Sequence, residues 1–96
     1  MKEVNSIKDI TDEVFLIKYG QEFCIPCEMT DTNLKTLESN YDAPFYSCMN
    51  TDESIEKGFT ALPVIIVSKN GSENKLEDTS IMMDEDELKI WLNKYV

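Results

Sequence analysis

Apolar residues come in short blocks, and the spacing inside each block separates strands from helices. Val14-Phe15-Leu16-Ile17 is continuous, the pattern of a strand covered on both faces. Val64-Ile65-Ile66-Val67 repeats it, and the segment from Thr60 to Val67 reads as a strand with Pro63 inside its leading end. Leu88, Trp91, Leu92 and Tyr95 recur at i, i+3, i+4 and i+7, one face of an amphipathic helix. Asp84 stands where an N-cap belongs, with Glu87 three residues on. More thinly, Thr30, Leu34, Leu37 and Tyr41 mark a face of a helix over about residues 27–40.

The remaining stretches fill in the order. Residues 2–5 suit a short first strand. Ser6 with Asp9 suits a capped turn of helix that points Ile7 and Ile10 inward. Ala43-Pro44 ends the second helix, and Phe45-Tyr46-Ser47-Cys48-Met49 is the next strand. Thr51 or Asp52 caps a short helix that stops near Gly58. Ser68-Lys69-Asn70-Gly71 is a hairpin turn, and its partner strand covers about residues 73–78. The predicted order is βα, β, α, β, α, β, β, α. With no repeat or linker, residues 1–96 are expected to form a single domain.

The stretch that carries chemistry is Phe23-Cys24-Ile25-Pro26-Cys27, between the first apolar block and the helix after it. Pro26 suits the first turn of that helix, where its missing N–H is not needed. A helix N-terminus offers unpaired N–H groups and partial positive charge, so a thiol placed there ionises more readily. The thiolate is the species that attacks a disulfide, and a second thiol three residues away can attack the mixed disulfide. Three other readings of the pair compete, one of them simply two buried thiols with no chemistry. A zinc site wants four ligands from Cys and His, against three cysteines and no histidine. An inert structural disulfide over so small a loop would constrain the unfolded chain little. Redox work is the better reading, with no metal.

Composition narrows the partners. Nineteen acidic residues against nine basic give a formal charge of −10, which disfavours nucleic acid and anionic membranes. No apolar run approaches a membrane span, and the N-terminal residues lack a signal-peptide core. The odd cysteine count does not look like a secreted disulfide framework, so a reducing, cytoplasmic setting is expected; separately, the chain is expected to be a monomer. Cys48 reads as a core thiol.

The combined pattern resembles the thioredoxin superfamily over almost the whole chain. The resemblance rests on Phe23-Cys24-Ile25-Pro26-Cys27, Leu62-Pro63 opening a strand, the Lys69-Asn70-Gly71 turn and the closing helix. It implies an α/β thioredoxin-like fold, a central mixed sheet of four to five strands flanked by helices on both faces. It implies that Cys24 is the nucleophile, that Cys27 resolves, and that Pro63 is a cis proline lying against them. Phe23, Ile25, Pro26 and Leu62 would support the site and the substrate. The activity implied is reduction or exchange of protein disulfides through a Cys24–Cys27 disulfide. No other cofactor is implied, and the electron donor would be of the thioredoxin-reductase type.

Several positions depart from the family pattern. Phe23 replaces its Trp, Ile25 its Gly, and Glu28 its frequent Lys. Lys18 stands six residues before Cys24, where the family carries a buried Asp that helps move protons. If the strand register directs Lys18 inward, its cation favours a thiolate at the cysteine pair; if not, it reaches solvent. The alternatives are a glutaredoxin-like, glutathione-dependent reductase and a non-catalytic thioredoxin-fold binding module. The chain lacks the Gly-Gly-x-Asp and Thr-Val-Pro features that glutaredoxins use for glutathione, and it retains both cysteines and Pro63.

Overall fold

The two continuous apolar blocks become the two central strands of a five-stranded sheet, in a computed structural model that describes residues 1–96. The strands are β1 (Lys2–Val4), β2 (Val14–Tyr19), β3 (Phe45–Cys48), β4 (Val64–Lys69) and β5 (Ser72–Leu76). Their order across the sheet is β1-β3-β2-β4-β5. β3 pairs in parallel with β1 and β2, while β4 runs antiparallel to both β2 and β5. The sheet is therefore mixed. Helix α1 (Ile25–Leu37) joins β2 to β3, α2 (Thr51–Glu56) follows β3, and α3 (Thr79–Met82) and α4 (Glu85–Tyr95) close the chain.

Period-two alternation on the central strands divides the core into two layers. Leu16, Ile65 and Val67 face the layer that holds Leu34 and Leu37 of α1 and Leu88 and Leu92 of α4. Phe15, Ile17, Tyr19, Val64 and Ile66 face the other, which takes in Cys48 and is covered by Ile7, Ile10 and Phe59. Cys48 is fully buried there, the expected core thiol. The hairpin between β4 and β5 turns on Asn70 and Gly71, both at positive φ (54° and 86°), as a two-residue turn of this hand requires.

Boundaries differ from the sequence reading where local hydrogen bonding decides them. β2 continues past Ile17 through Lys18 and Tyr19, because ladder pairing with Ser47 and Cys48 extends that far. β4 begins at Val64, so Thr60 to Leu62 lie outside it and Pro63 directly precedes it. Helix α1 starts two residues earlier, at Ile25, and gives way to a 3-10 turn at Glu38–Asn40, which leaves Tyr41 beyond the helix. Asn50, not Thr51 or Asp52, caps α2, its side chain accepting from the Glu53 N–H at 3.2 Å. Ser6 accepts from the Lys8 N–H instead of completing a capping box with Asp9. The strand after the hairpin is Ser72–Leu76, and the four-residue α3, with Met82 fully buried, has no counterpart in the sequence reading. No helix is long and apolar enough to cross a membrane.

One buried carboxylate ties three elements together. Glu53 accepts from Ser6 Oγ at 2.5 Å, from Tyr19 Oη at 2.7 Å and from the Ile7 N–H at 3.1 Å. Burial alone would raise its pKa; the Ser6, Tyr19 and Ile7 donors, with Lys57 further off, outweigh burial and hold it below the ordinary carboxylate value. Burial, reinforced by Glu53, pushes the Tyr19 phenol up, so it remains a donor. A depressed folded-state pKa contributes stability that is full above the ordinary value of 4.5 and is lost as pH falls through the folded value. Glu53→Gln should therefore cost about 1–3 kcal/mol at neutral pH. In urea unfolding, its deficit against wild type should narrow as pH is lowered through this range; a deficit independent of pH would contradict the role.

Candidate active site

The site forms where β2 hands over to α1. Gly20 closes the strand with its N–H on the Cys48 carbonyl at 3.0 Å. A turn through Gln21 and Glu22 reaches Phe23, which sits at φ 55° in the left-handed region and is fully exposed. A non-glycine residue there is strained by about 1 kcal/mol or more, and the strain delivers the next residue to the helix start. That residue, Cys24, is the N-cap of α1. Its sulfur accepts from the Cys27 N–H at 3.2 Å, and its carbonyl accepts from the Glu28 N–H. Pro26 occupies the first turn, as its missing N–H allows, and its carbonyl accepts from the buried Thr30 hydroxyl at 2.8 Å.

Cys24 and Cys27 are joined as a disulfide with Cα atoms 5.2 Å apart. Cys24 retains 8% exposure and Cys27 3%. The Cys24 sulfur lies 4.0 Å from the Leu62 carbonyl oxygen. The Leu62–Pro63 peptide is cis, and Pro63 is buried. Four positions singled out from the sequence thus converge: Cys24, Cys27, Leu62 and Pro63. Phe23 and Ile25 stand exposed beside the pair, joined by the exposed Met49, which lines one cleft with Phe23 and Cys27, and by the exposed Ile55, which lines another with Gln21 and Leu62; the sequence reading did not assign Met49 or Ile55 to the site. Met49 and Ile55 come from β3's end and α2, so only the tertiary arrangement reveals them.

Lys18 points inward. It shares the α1-facing side of β2 with Leu16, and its side chain is 1% exposed. Its ammonium pairs with Asp31 Oδ1 at 2.5 Å, so the solvent-reaching alternative does not hold. A β-carbon placed on Gly20 would lie 3.1 Å from Lys18 Nζ and 3.6 Å from Cys27 Cβ. The ammonium and Cys27 therefore both approach the space a Gly20 side chain would take, and its absence gives the lysine its room. Lys18, Phe23, Cys27, Glu28, Asp31 and Met49 line a shallow cleft of about 410 Å³. Asp31 was not singled out from the sequence. The available signal was its i+4 spacing from Cys27, which places both on one face of α1.

Cys48 belongs to the opposite layer. Its sulfur lies 3.7 Å from the Asn5 carbonyl oxygen and 3.9 Å from Glu53 Oε2, and burial pushes its thiol pKa up. No group of three or more His, Cys, Asp or Glu side chains is arranged to hold a metal ion.

No family model matches the sequence. A curated relative, thioredoxin H8 of Arabidopsis thaliana, is 28% identical over 96 residues; the match takes in 96% of this chain and 62% of the relative's length. Among solved structures, a mutant thioredoxin from Halobacterium salinarum superposes with a TM-score of 0.79 at 22% identity, covering 98% of this chain and 88% of that one. Fasciola hepatica thioredoxin gives 0.78 at 15% identity with both chains fully covered. Mitochondrial thioredoxin 3 of Saccharomyces cerevisiae, in its oxidised form, gives 0.76 at 18%, covering 98% and 94%. The five-stranded mixed sheet, the helices on both its faces and these superpositions together give the conclusion that this chain has the thioredoxin fold.

Proposed function

We propose that this chain is a thiol–disulfide oxidoreductase that acts on protein disulfides through Cys24 and Cys27. The observation that carries the reading is the Cys24–Cys27 disulfide at the N-terminus of a 13-residue helix, beside Leu62-Pro63. In the reduced protein the Cys24 sulfur, at the N-cap, faces the first-turn N–H groups and the positive end of the helix dipole, both of which favour a thiolate. That thiolate attacks one sulfur of a substrate disulfide. A Cys24–substrate bond forms, the substrate S–S bond breaks, and the first substrate thiolate leaves. Cys27 then loses its proton and attacks the Cys24 sulfur, forming the Cys24–Cys27 bond and releasing the second substrate thiolate. The released thiolates take up protons. The protein dithiol is oxidised by two electrons and the substrate disulfide is reduced by two.

The surroundings support a protein substrate. Phe23, Ile25, Met49 and Ile55 expose apolar surface near the cysteine pair. The Leu62 carbonyl, 4.0 Å from the Cys24 sulfur, lies on the segment before β4, where an extended peptide would find a backbone acceptor. Restoring the dithiol requires a donor, and a flavin-dependent reductase of the thioredoxin-reductase type is the proposed one.

With a protein disulfide as substrate and dithiothreitol as reductant, Cys24→Ser should abolish turnover. Prereduced Cys27→Ser, mixed with the protein disulfide after the dithiothreitol is removed, should accumulate a mixed disulfide on Cys24, visible as an adduct in non-reducing mass spectrometry. No adduct in that variant would count against the assigned order of attack. In the reduced wild type, limiting iodoacetamide should label Cys24 first and Cys48 only after unfolding, because Cys48 is fully buried with its thiol pKa raised. Peptide mapping that finds Cys48 modified first would oppose the reading. Turnover supported by glutathione but by no reductase would move the protein to the glutathione-dependent class.

A further inference from the structure

The charge pair beside the resolving cysteine has an unusual distribution. Its cation comes from the strand and is sealed in, with Lys18 1% exposed, while its anion comes from the helix and is 30% exposed. Water screens the outer charge far more than the inner one. The two are therefore not equivalent in their effect on a neighbouring sulfur, although they are paired at 2.5 Å. Lys18 Nζ and Cys27 Cβ lie 3.1 and 3.6 Å from the one point a Gly20 β-carbon would occupy, so nothing of Gly20's own fills the space they share. Asp31 lies one helical turn beyond Cys27 on the same face of α1. The other carboxylates lining the cleft, Glu22 and Glu28, belong to exposed residues.

We propose that Lys18 and Asp31 set the redox equilibrium of the cysteine pair, Lys18 by stabilising the Cys27 thiolate and Asp31 by holding the ammonium in place and limiting that stabilisation. The inference rests on the proposed thiol–disulfide exchange and assigns its positioning residues. Stabilising a thiolate stabilises the reduced protein, so the Lys18 cation makes the disulfide a stronger oxidant. The same cation lowers the barrier to the second step, in which Cys27 must carry negative charge to attack Cys24. The proton that Cys27 gives up leaves through the cleft, and the electron count of the exchange is unchanged.

The test is equilibration with reduced and oxidised glutathione at about pH 8.5, near the ordinary ionisation midpoint of a thiol. The ratio of reduced to oxidised protein is read after acid quenching and alkylation. Lys18→Met keeps the length and buried stem of the side chain and removes the charge. Its reduced-to-oxidised ratio should fall roughly three- to tenfold at fixed glutathione, where tenfold corresponds to about 30 mV for a two-electron couple. Asp31→Asn alone leaves a buried ammonium without its partner and risks misfolding. The double variant Lys18→Met/Asp31→Asn removes both charges and should recover part of the lost ratio, because the carboxylate opposing the thiolate is gone. A Lys18→Met ratio within twofold of wild type, or above it, overturns the proposal. So does a double variant no different from Lys18→Met. A wild-type Cys24–Cys27 pair that dithiothreitol reduces but no protein disulfide reoxidises would instead strike the oxidoreductase reading itself.

Discussion

The alternation of side chains along β2 is the constraint on which the site depends. Phe15, Ile17 and Tyr19 go to one layer, while Leu16 and Lys18 go to the other, beneath α1. The apolar members fix this parity: a slip of one residue would turn Phe15, Ile17 and Tyr19 out of their core and bury the wrong set. Lys18 has no freedom to choose a side. It is carried under the helix by the packing of its neighbours, and the burial of its charge is met by Asp31 from above. Breaking one partner of such a pair costs about 3–5 kcal/mol, so the two residues are also coupled in stability.

Around that seat the chain brings together three remote segments. The strained turn at Phe23 presents Cys24 as a helix cap, the segment ending in Leu62-Pro63 runs beside it, and α2 contributes the exposed Ile55. The opposite layer uses a polar anchor of its own. Glu53 gathers Ser6, Ile7 and Tyr19, so the last residue of β2 is held from below just as Lys18 is held from above. The strand end that leads into the cysteine turn is thus fixed on both sides of the sheet. A site held on rigid elements in this way is suited to attack along a defined S–S–S line, which a mobile loop would not hold.

Much of this was legible in the residues. Continuous apolar blocks gave β2 and β4, the Asn70-Gly71 pair gave the hairpin, and helical spacing gave α4, because each of those signals is local and strong. The cysteine pair was legible because its spacing and its place before a helix opened by Pro26 are both local features of the sequence. What escaped was set at a distance. The ladder with β3 lengthened β2 to include Lys18 and Tyr19. The direction of Lys18 was hidden because Val14–Ile17 is apolar on both faces and shows no alternation of its own, so only packing against the two layers fixes the parity, and its partner Asp31 became visible only when α1 was laid across the sheet. The Asn50 cap displaced Thr51 and Asp52 because several adjacent residues were chemically able to cap, and tertiary packing selected among them.

The account stands most directly on a reversible two-electron change at one pair of sulfurs. Counting thiols under denaturing conditions, before and after incubation with a protein disulfide, measures it. The reduced chain should present three titratable thiols and the spent chain one, Cys48, with one substrate disulfide opened per chain oxidised. Dithiothreitol should restore the count to three. A chain that keeps three thiols while the substrate disulfide stays closed, or that loses Cys48 in place of the Cys24–Cys27 pair, would contradict the account.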